Sequence, residues 1–582
     1  MLALVVMLLA ALSSSCLQGR PVVSDGPEAP GCPPPACPVV APDAPYASEV
    51  PAALPLGTRL LEAEAATTTG TLPAASTALH TPGAEASGRR YASLAPGQRL
   101  TWRAPLSADS VVVRYSYPDG PDDGRLELRV AGALVGNLPL TARYSWDYGV
   151  PHWGSQSVWS SNPRAGGPRH FWDESSLRLE TPFAAEAQLE LTNPAGSKRT
   201  VLVDFIELEL VPKAVAAPPD SLSFAKFQPA ADGTTDDTAK LTQALSEAKS
   251  AGHVLYVPEG TYAIGKVDLD EGTLQGAGLW RTRFVGPAAQ IHFVGGRAHV
   301  ADFAIFGQTA TRNDVSDAGN AFTGRPGPGS VLERIWVEHM KCAFWVAKGT
   351  DARGPTELRI SACRFRNLMA DAVNLCDGTR DSMVDNCQVR NSGDDGLAAW
   401  SPNHGTPSGG HNTFAHNLVQ SPWVASGIAL YGGGPFRVVG NTVKDTVTTG
   451  SGIYLAAFFG AHSFAGAVDV RDNELVRCGA HESDPGGPTG ALRVIAGDRD
   501  MTRAQFLFSN NRVIAPLESA VSIQGPHRIE NLRFTDLTVE GADLIGDVRP
   551  DAKGEAVFSA VHATGEAARF RNGAGGFFDL TR

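Results

Sequence analysis

Beyond about residue 254 the chain is filled by short runs of alternating apolar and polar residues, separated by Gly, Asn, Asp and Ser. Alternation predicts strands with one buried face, and the turn residues mark where each strand stops. Helical periodicity is scarce there. The densest stretch, Ala362 to Ser401, holds one unit twice. Cys363-Arg364-Phe365 recurs as Cys387-Gln388-Val389, and Asp371-Ala372-Val373 recurs as Asp395-Gly396-Leu397, 24 positions on. The same slot returns with looser spacing at Cys342-Ala343-Phe344-Trp345, at Ser426-Gly427-Ile428 after Asn417, and at Ser451-Gly452-Ile453 after Asn441. Repeats of about 20–50 residues signal a solenoid. A unit this short cannot bury a core alone, so the coils must stack. The pattern predicts an all-β protein whose larger part is a right-handed parallel β-helix.

Stacking places the acids. Equivalent residues on neighbouring coils lie about 4.8 Å apart. Asp371 and Asp395 are equivalent and Asp394 adjoins, so three carboxylates should share one strand face. Like charges that close raise the proton affinity of at least one of them. Asp-Asp-Gly is also ordinary turn chemistry; the third, stacked Asp and nearby aromatics favour a functional cluster. Registering the coils puts Trp345, Asn374, Ala398, Ala429 and Tyr454 in one outward column, and Ala347, Cys376, Trp400, Tyr431 and Ala456 in another. Val346, Leu375, Ala399, Leu430 and Leu455 lie between and should point inward. Trp345, Asn374, Trp400, Tyr431 and Tyr454 are therefore candidate substrate contacts, since aromatics exposed beside carboxylates suit a glycan groove.

Before the solenoid, Leu241, Ala244, Leu245 and Ala248 have helical spacing, with Asp236 and Asp237 at the start and Gly252 past the end. This predicts a helix that caps the open apolar end of the β-helix, with both Asp residues as capping groups. The helix with Val254-Leu255-Tyr256-Val257-Pro258 and Gly260-Thr261-Tyr262 resembles the N-terminal cap of the pectate-lyase-like superfamily. Residues 57–213 are a separate block of β-runs, strictly alternating over Val201–Leu210. They predict a jelly-roll β-sandwich, joined by a Pro/Ala linker to the β-helix at 222–580. The segment Tyr144–Asp173 carries Tyr144, Trp146, Tyr148, Trp153, Trp159, Phe171 and Trp172, most of which should pack this domain against the solenoid.

The formal net charge of −12 argues against a nucleic-acid partner and suits a neutral or soluble substrate better. Residues 1–16 hold an apolar run too short for a membrane span and suited to a signal peptide. Leu12 to Cys16 resembles a bacterial lipoprotein cleavage box, although Ser13 stands where such boxes favour Leu and no Lys or Arg precedes the run. Export is expected, either secreted or anchored to the cell surface by lipid at Cys16. Residues 17–56 read as a Pro/Ala-rich linker in which Cys32 and Cys37 could pair. Cys363 and Cys387 should stack as small core residues. No further stretch is apolar enough to span a bilayer, no Cys/His spacing suggests zinc, and a monomer is expected.

Two resemblances follow. Leu61-Glu62-Ala63-Glu64 and Val203-Asp204-Phe205-Ile206-Glu207 resemble the two ends of carbohydrate-binding modules of families 6 and 35. That resemblance implies a structural calcium held by Glu62, Glu64 and Asp204. Asp371-Ala372-Val373-Asn374, the run from Ser392 to Ser401, Ser426 to Gly433 and Gly450 to Ile453 resemble glycoside hydrolase family 87, the α-1,3-glucanases and mycodextranases. Trp336-Val337-Glu338-His339, Tyr144-Ser145-Trp146 and His170-Phe171-Trp172-Asp173-Glu174 match as well. The resemblance implies a sandwich joined to a β-helix and inverting endo-hydrolysis of an α-glucan by Asp371, Asp394 and Asp395, with no catalytic cofactor. Asp394 is expected as the general acid, with Asp371 and Asp395 holding the water. Two departures stand out: Ala372 replaces a Gly, and Leu375-Cys376 replaces a site where a His is expected. The alternatives are a polygalacturonase-like hydrolase and a non-catalytic glycan-binding solenoid. The first would want a basic groove, and the Gly-His-Gly and Arg-Ile-Lys tripeptides of such enzymes are absent.

Overall fold

The computed structural model describes residues 50–581, apart from 51, 55–56, 80, 145–158, 161–169, 313–315, 350–352, 448, 482–486 and 565–568. The signal-like run, Cys16, Cys32, Cys37, Trp146, Tyr148 and Trp153 lie outside the described residues, as does the side chain of Trp159. No described helix is long and apolar enough to cross a membrane.

Residues 58–209 form two five-stranded antiparallel sheets. One runs Thr58–Glu62, Val201–Glu209, Ala108–Ser116, Asp173–Phe183, with Ala92–Leu94 beside Val201–Glu209. The other runs Thr67–Thr68, Arg99–Arg103, Gln188–Thr192, Gly124–Val130, Ala133–Leu140. Their inner faces bury Leu100, Val111, Val113, Leu126, Leu128, Leu189, Leu191 and Val203 completely.

From residue 222 on, the ladders of the two large sheets are parallel. The strands make a 23-stranded sheet, folded along two ladders, and a 12-stranded sheet, so each coil has three faces. One coil comprises Arg359–Ser361, Arg364–Arg366 and Val373–Leu375. The next comprises Met383–Asp385, Gln388–Arg390 and Leu397–Trp400, in register Arg359↔Met383, Arg364↔Gln388 and Val373↔Leu397. The 24-residue spacing in the sequence is thus one turn of a parallel β-helix. Inward residues such as Ile360, Phe365, Val384, Val389 and Leu397 are at most 2% exposed, and Cys363 and Cys387 join the same core. Full burial of each large aliphatic or aromatic residue is worth about 1.5–3 kcal/mol. The recurring Asn forms a buried ladder: Asn417 donates to Asn441 at 3.0 Å, Asn441 to Asn473 at 3.0 Å and Asn473 to Asn511 at 2.9 Å.

The cap helix forms at Thr238–Ala251 and buries Leu241, Ala244, Leu245 and Ala248, with Gly252 in the left-handed conformation after it. Asp236 accepts from the Thr238 N–H at 2.9 Å, as a cap should. Asp237 does not cap; its carboxylate is buried and accepts from the N–H groups of Ala230 and Ala231.

The sandwich packs onto one ladder of the β-helix through buried ion pairs. Arg364 is bidentate to Glu209, both contacts at 2.7 Å. Arg366 and Arg390, in register on adjacent coils, share Glu174 and Glu207 at 2.5–3.4 Å. None of these six side chains is more than 8% exposed. Beside them Val112 and Val211 of the sandwich cluster with Trp280, Ala304 and Trp336. The paired guanidinium groups hold Glu207 and Glu174 below the ordinary carboxylate range, overcoming burial. Replacing Glu207 by Gln is expected to cost about 3–5 kcal/mol, because two buried guanidinium groups lose their shared anion. Denaturant unfolding measures it; a loss below about 1 kcal/mol would show that Glu174 alone suffices.

Candidate active site

Each coil turns a corner just after the strand that carries the interface arginines. Asn367 and Asn391 make that corner in the left-handed conformation, φ 49° and 63°, which Asn tolerates better than most residues. Asn391 donates to Asn367 at 2.8 Å and to the Trp172 carbonyl at 2.9 Å, while Arg114 donates to Asn391 at 3.1 Å. The chain then delivers Asp371 on one coil and Asp394 and Asp395 on the next. Gly393 permits the close stacking: a Cβ there would lie 2.2 Å from the Met369 carbonyl oxygen.

The three carboxylates meet as expected, one oxygen of each within 4.8 Å of the others. Asp371 accepts from the Asp395 N–H at 3.1 Å and from Asn374 at 3.2 Å. Asp395 accepts from the Ser426 N–H at 2.8 Å and from the Tyr431 hydroxyl at 2.7 Å. Asp394 accepts from the Asp395 N–H at 3.1 Å and from Arg312 at 2.7 Å. Burial, then the charges of Asp394 and Asp395, push Asp371 well above the carboxylate range. Burial and Asp394 push Asp395 up to about 8. Asp394 is the most exposed of the three and the one bound to a guanidinium. Arg312 carries no signal in the sequence, because it sits in a loop outside the repeat.

The predicted columns are in register: Trp345↔Asn374, Asn374↔Ala398, Ala398↔Ala429, Ala429↔Tyr454, and Trp400↔Tyr431. Their exposure differs from expectation. Trp400, Tyr431 and Tyr454 are less than 10% exposed and pack with Phe458, Phe459 and the half-buried Trp345 in a cluster outside the sheet. Tyr431 orients Asp395, and the Trp400 indole N–H donates to the Phe459 carbonyl. Neither lies open as a flat sugar platform. Asn374 is 5% exposed, and its Oδ1 is buried with no hydrogen-bond partner beside Asp371. Among the aromatics of the first domain, Tyr144 stacks on His339 of the β-helix at 3.9 Å, whereas Phe171 and Trp172 are buried within their own domain in a cluster with Ala86, Tyr91 and Leu202.

The proposed calcium ligands do not converge. Asp204 is bound by Arg114 and the Ser87 N–H, and Glu62 accepts from the Ser87 hydroxyl. Burial and Asp204 push Glu62 up to about 8, and Glu62 and Glu64 each keep a buried oxygen without a hydrogen-bond partner. A second set that does converge is Asp173, Glu338 and His339, where His339 meets Asp173 at 2.7 Å across the domain interface. Burial pushes Glu338 up to about 7.

A parallel β-helix with three clustered aspartates, one of them bound to an arginine, is the class of a polysaccharide-cleaving glycoside hydrolase. Comparison with known proteins fixes the family. Residues 54–211 match the model of the α-1,3-glucanase catalytic domain D1 and residues 234–517 that of domain D2. The catalytic unit of the thermostable GH87 α-1,3-glucanase from Streptomyces thermodiastaticus strain HF3-3 is 30% identical, with 91% of this chain and 96% of that one covered and a TM-score of 0.79. The Agl-KA catalytic domain is 27% identical, with 90% and 98% covered and a TM-score of 0.83. A GH87 α-1,3-glucanase catalytic domain in complex with nigerose shares the fold at 21% identity, 91% and 99% covered, TM-score 0.78. No curated protein matches. The chain belongs to glycoside hydrolase family 87, the α-1,3-glucanases. The first domain is matched as part of the catalytic unit.

The shifted acids give the protein a pH signature. Glu62, Glu338 and Asp395 bind a proton more tightly folded than unfolded, so their contribution is full at low pH and is lost as pH rises towards about 7–8. Glu174 and Glu207 bind it more weakly, so theirs is full above the ordinary value of 4.5 and lost below it. The thermal unfolding midpoint is expected to peak between about pH 4.5 and 6 and to fall on both sides. A midpoint that climbs from about pH 6 to 8 would contradict these shifts.

Proposed function

We propose that the protein hydrolyses α-1,3-glucosidic bonds within α-glucan chains, with inversion at the anomeric carbon. The observation that carries this reading is the acid cluster itself, set on the stacked coils of a family 87 catalytic unit. Asp371, buried and pushed well above the carboxylate range, carries the proton for the glycosidic oxygen. Asp394, the exposed partner of Arg312, takes the proton of the attacking water. Asp395 ties the two together through its N–H, which donates to both. This reverses the division expected from the sequence. Every oxygen of Asp394 and Asp395 already accepts a hydrogen bond, which suits carboxylates that orient water better than one that attacks carbon. The cluster is nevertheless tighter than the about 6.5–9.5 Å usual between inverting carboxyl groups. The anomer first released, read by proton NMR, therefore decides the stereochemistry; α-product would overturn inversion. Asn374, with its unpartnered Oδ1 beside Asp371, is proposed to accept from a sugar hydroxyl. The apolar run before Cys16 supports export of the enzyme, with Cys16 as an acylation site.

Insoluble α-1,3-glucan, nigeran and polygalacturonate tested in parallel separate the readings. Reducing sugar is expected from an α-1,3-linked polymer and not from polygalacturonate. Asp371→Asn and Asp394→Asn should each lose about 10²–10⁴ of the rate. A glucosyl fluoride, whose leaving group needs no acid, should restore turnover to Asp371→Asn only. Restoration in Asp394→Asn instead would return the acid role to Asp394. Wild-type protein that releases nothing from any polymer would favour a glycan-binding solenoid.

A further inference from the structure

We propose that Arg312 is a positioning residue for this reaction: it fixes the Asp394 carboxylate and, as the counter-charge of the acid cluster, sets the pH window in which the enzyme works. The inference rests on the hydrolytic reading above. Arg312 lies in the two-residue strand Thr311–Arg312, in the connection between the strands Ala298–Phe306 and Phe322–Arg325. That strand pairs antiparallel with Trp159–Ser160 of the first domain, Arg312 opposite Trp159. The arginine is thus placed by both domains, whereas the three aspartates come from the β-helix alone. Its Nη2 donates to Asp394 Oδ2 at 2.7 Å, and its side chain is 12% exposed against 28% for Asp394.

The charges that face Asp394 are the carboxylates of Asp371 and Asp395 and the guanidinium of Arg312. Asp395 also faces the Tyr431 hydroxyl. Arg312 holds Asp394 by a hydrogen bond, and its charge pulls the proton affinities of Asp371 and Asp395 down against burial and mutual repulsion. Without it, the burial and repulsion that raise Asp371 and Asp395 would act with less opposition, and the Asp394 carboxylate would lose the donor that fixes it. An opposite charge within about 4–6 Å shifts a carboxyl by roughly 1–3 pH units. Lysine would keep the charge but not the planar fork of donors.

The test is kcat/KM against pH on a soluble α-1,3-linked oligosaccharide for wild type, Arg312→Gln and Arg312→Lys, each checked for a cooperative melt. For Arg312→Gln the alkaline limb of the profile, set by loss of the Asp371 proton, is expected to move up by roughly one pH unit or more. Activity at the wild-type optimum should fall by about tenfold or more, because Asp394 loses the donor that fixes it. Arg312→Lys should keep the wild-type limbs at reduced kcat. A folded Arg312→Gln whose profile is lowered at every pH with unmoved limbs would show a merely structural arginine and overturn the proposal. If Arg312→Gln does not melt cooperatively, Arg312→Lys decides: limbs displaced upward in that charge-retaining variant would equally overturn it. Wild type without activity on α-1,3-linked substrates tells against the hydrolytic reading, while active wild type with unmoved variants tells against Arg312 alone.

Discussion

Three arginines in the wall of the β-helix, Arg364, Arg366 and Arg390, are buried against Glu174, Glu207 and Glu209 of the sandwich. The constraint is severe in both directions. Removing the sandwich would leave a row of unpaired guanidinium groups on the solenoid, and breaking one buried pair typically costs about 3–5 kcal/mol. The arrangement therefore fixes how the domains sit, and everything at the active site that depends on both domains inherits that precision. Arg366 and Arg390 each stand five residues before Asp371 and Asp395. The corner between them, Asn367 and Asn391, is itself hydrogen-bonded to the sandwich. Interface and catalytic cluster are two faces of one turn.

The cluster is held against its own repulsion by that rigidity. Three carboxylates with oxygens within 4.8 Å would separate in a flexible loop. Here parallel ladders lock Val373 to Leu397 and Leu397 to Ile428, so the turns that precede them cannot drift. Donors come from the coils themselves: the Asp395 and Ser426 N–H groups, Asn374 and the Tyr431 hydroxyl. Burial, and after it the repulsion that remains, raise the proton affinity of Asp371 and Asp395, which is the property an acid catalyst near neutral pH needs.

What the sequence revealed was what repeats. The coil register, the inward Leu and Val positions and the stacking of Asp371 over Asp395 all follow from one spacing, and the cap helix from one apolar stripe. What it concealed is pairwise and long-range. Arg366 meets Glu207 across 159 positions, and nothing local in either residue announces the other. Arg312 reaches Asp394 across 82 positions from a loop without periodicity. Burial of Trp400, Tyr431 and Tyr454 was hidden for a related reason: an outward column position on the sheet says nothing of the loop bearing Phe458 and Phe459 that covers it. Nothing local in Asp204 announces Arg114, which binds it across 90 positions.

The distribution of positive charge also bears on the substrate. A polyanionic glycan would have to approach three carboxylates that share a single described guanidinium, Arg312, and that guanidinium is committed to Asp394. The arginines of the coils that carry the acids, Arg364, Arg366 and Arg390, face the sandwich and are neutralised there. None is free to meet a uronate. A neutral glucan meets no such repulsion. The arginines that a polygalacturonase-like groove would spend on its substrate are used in this chain to join its two domains.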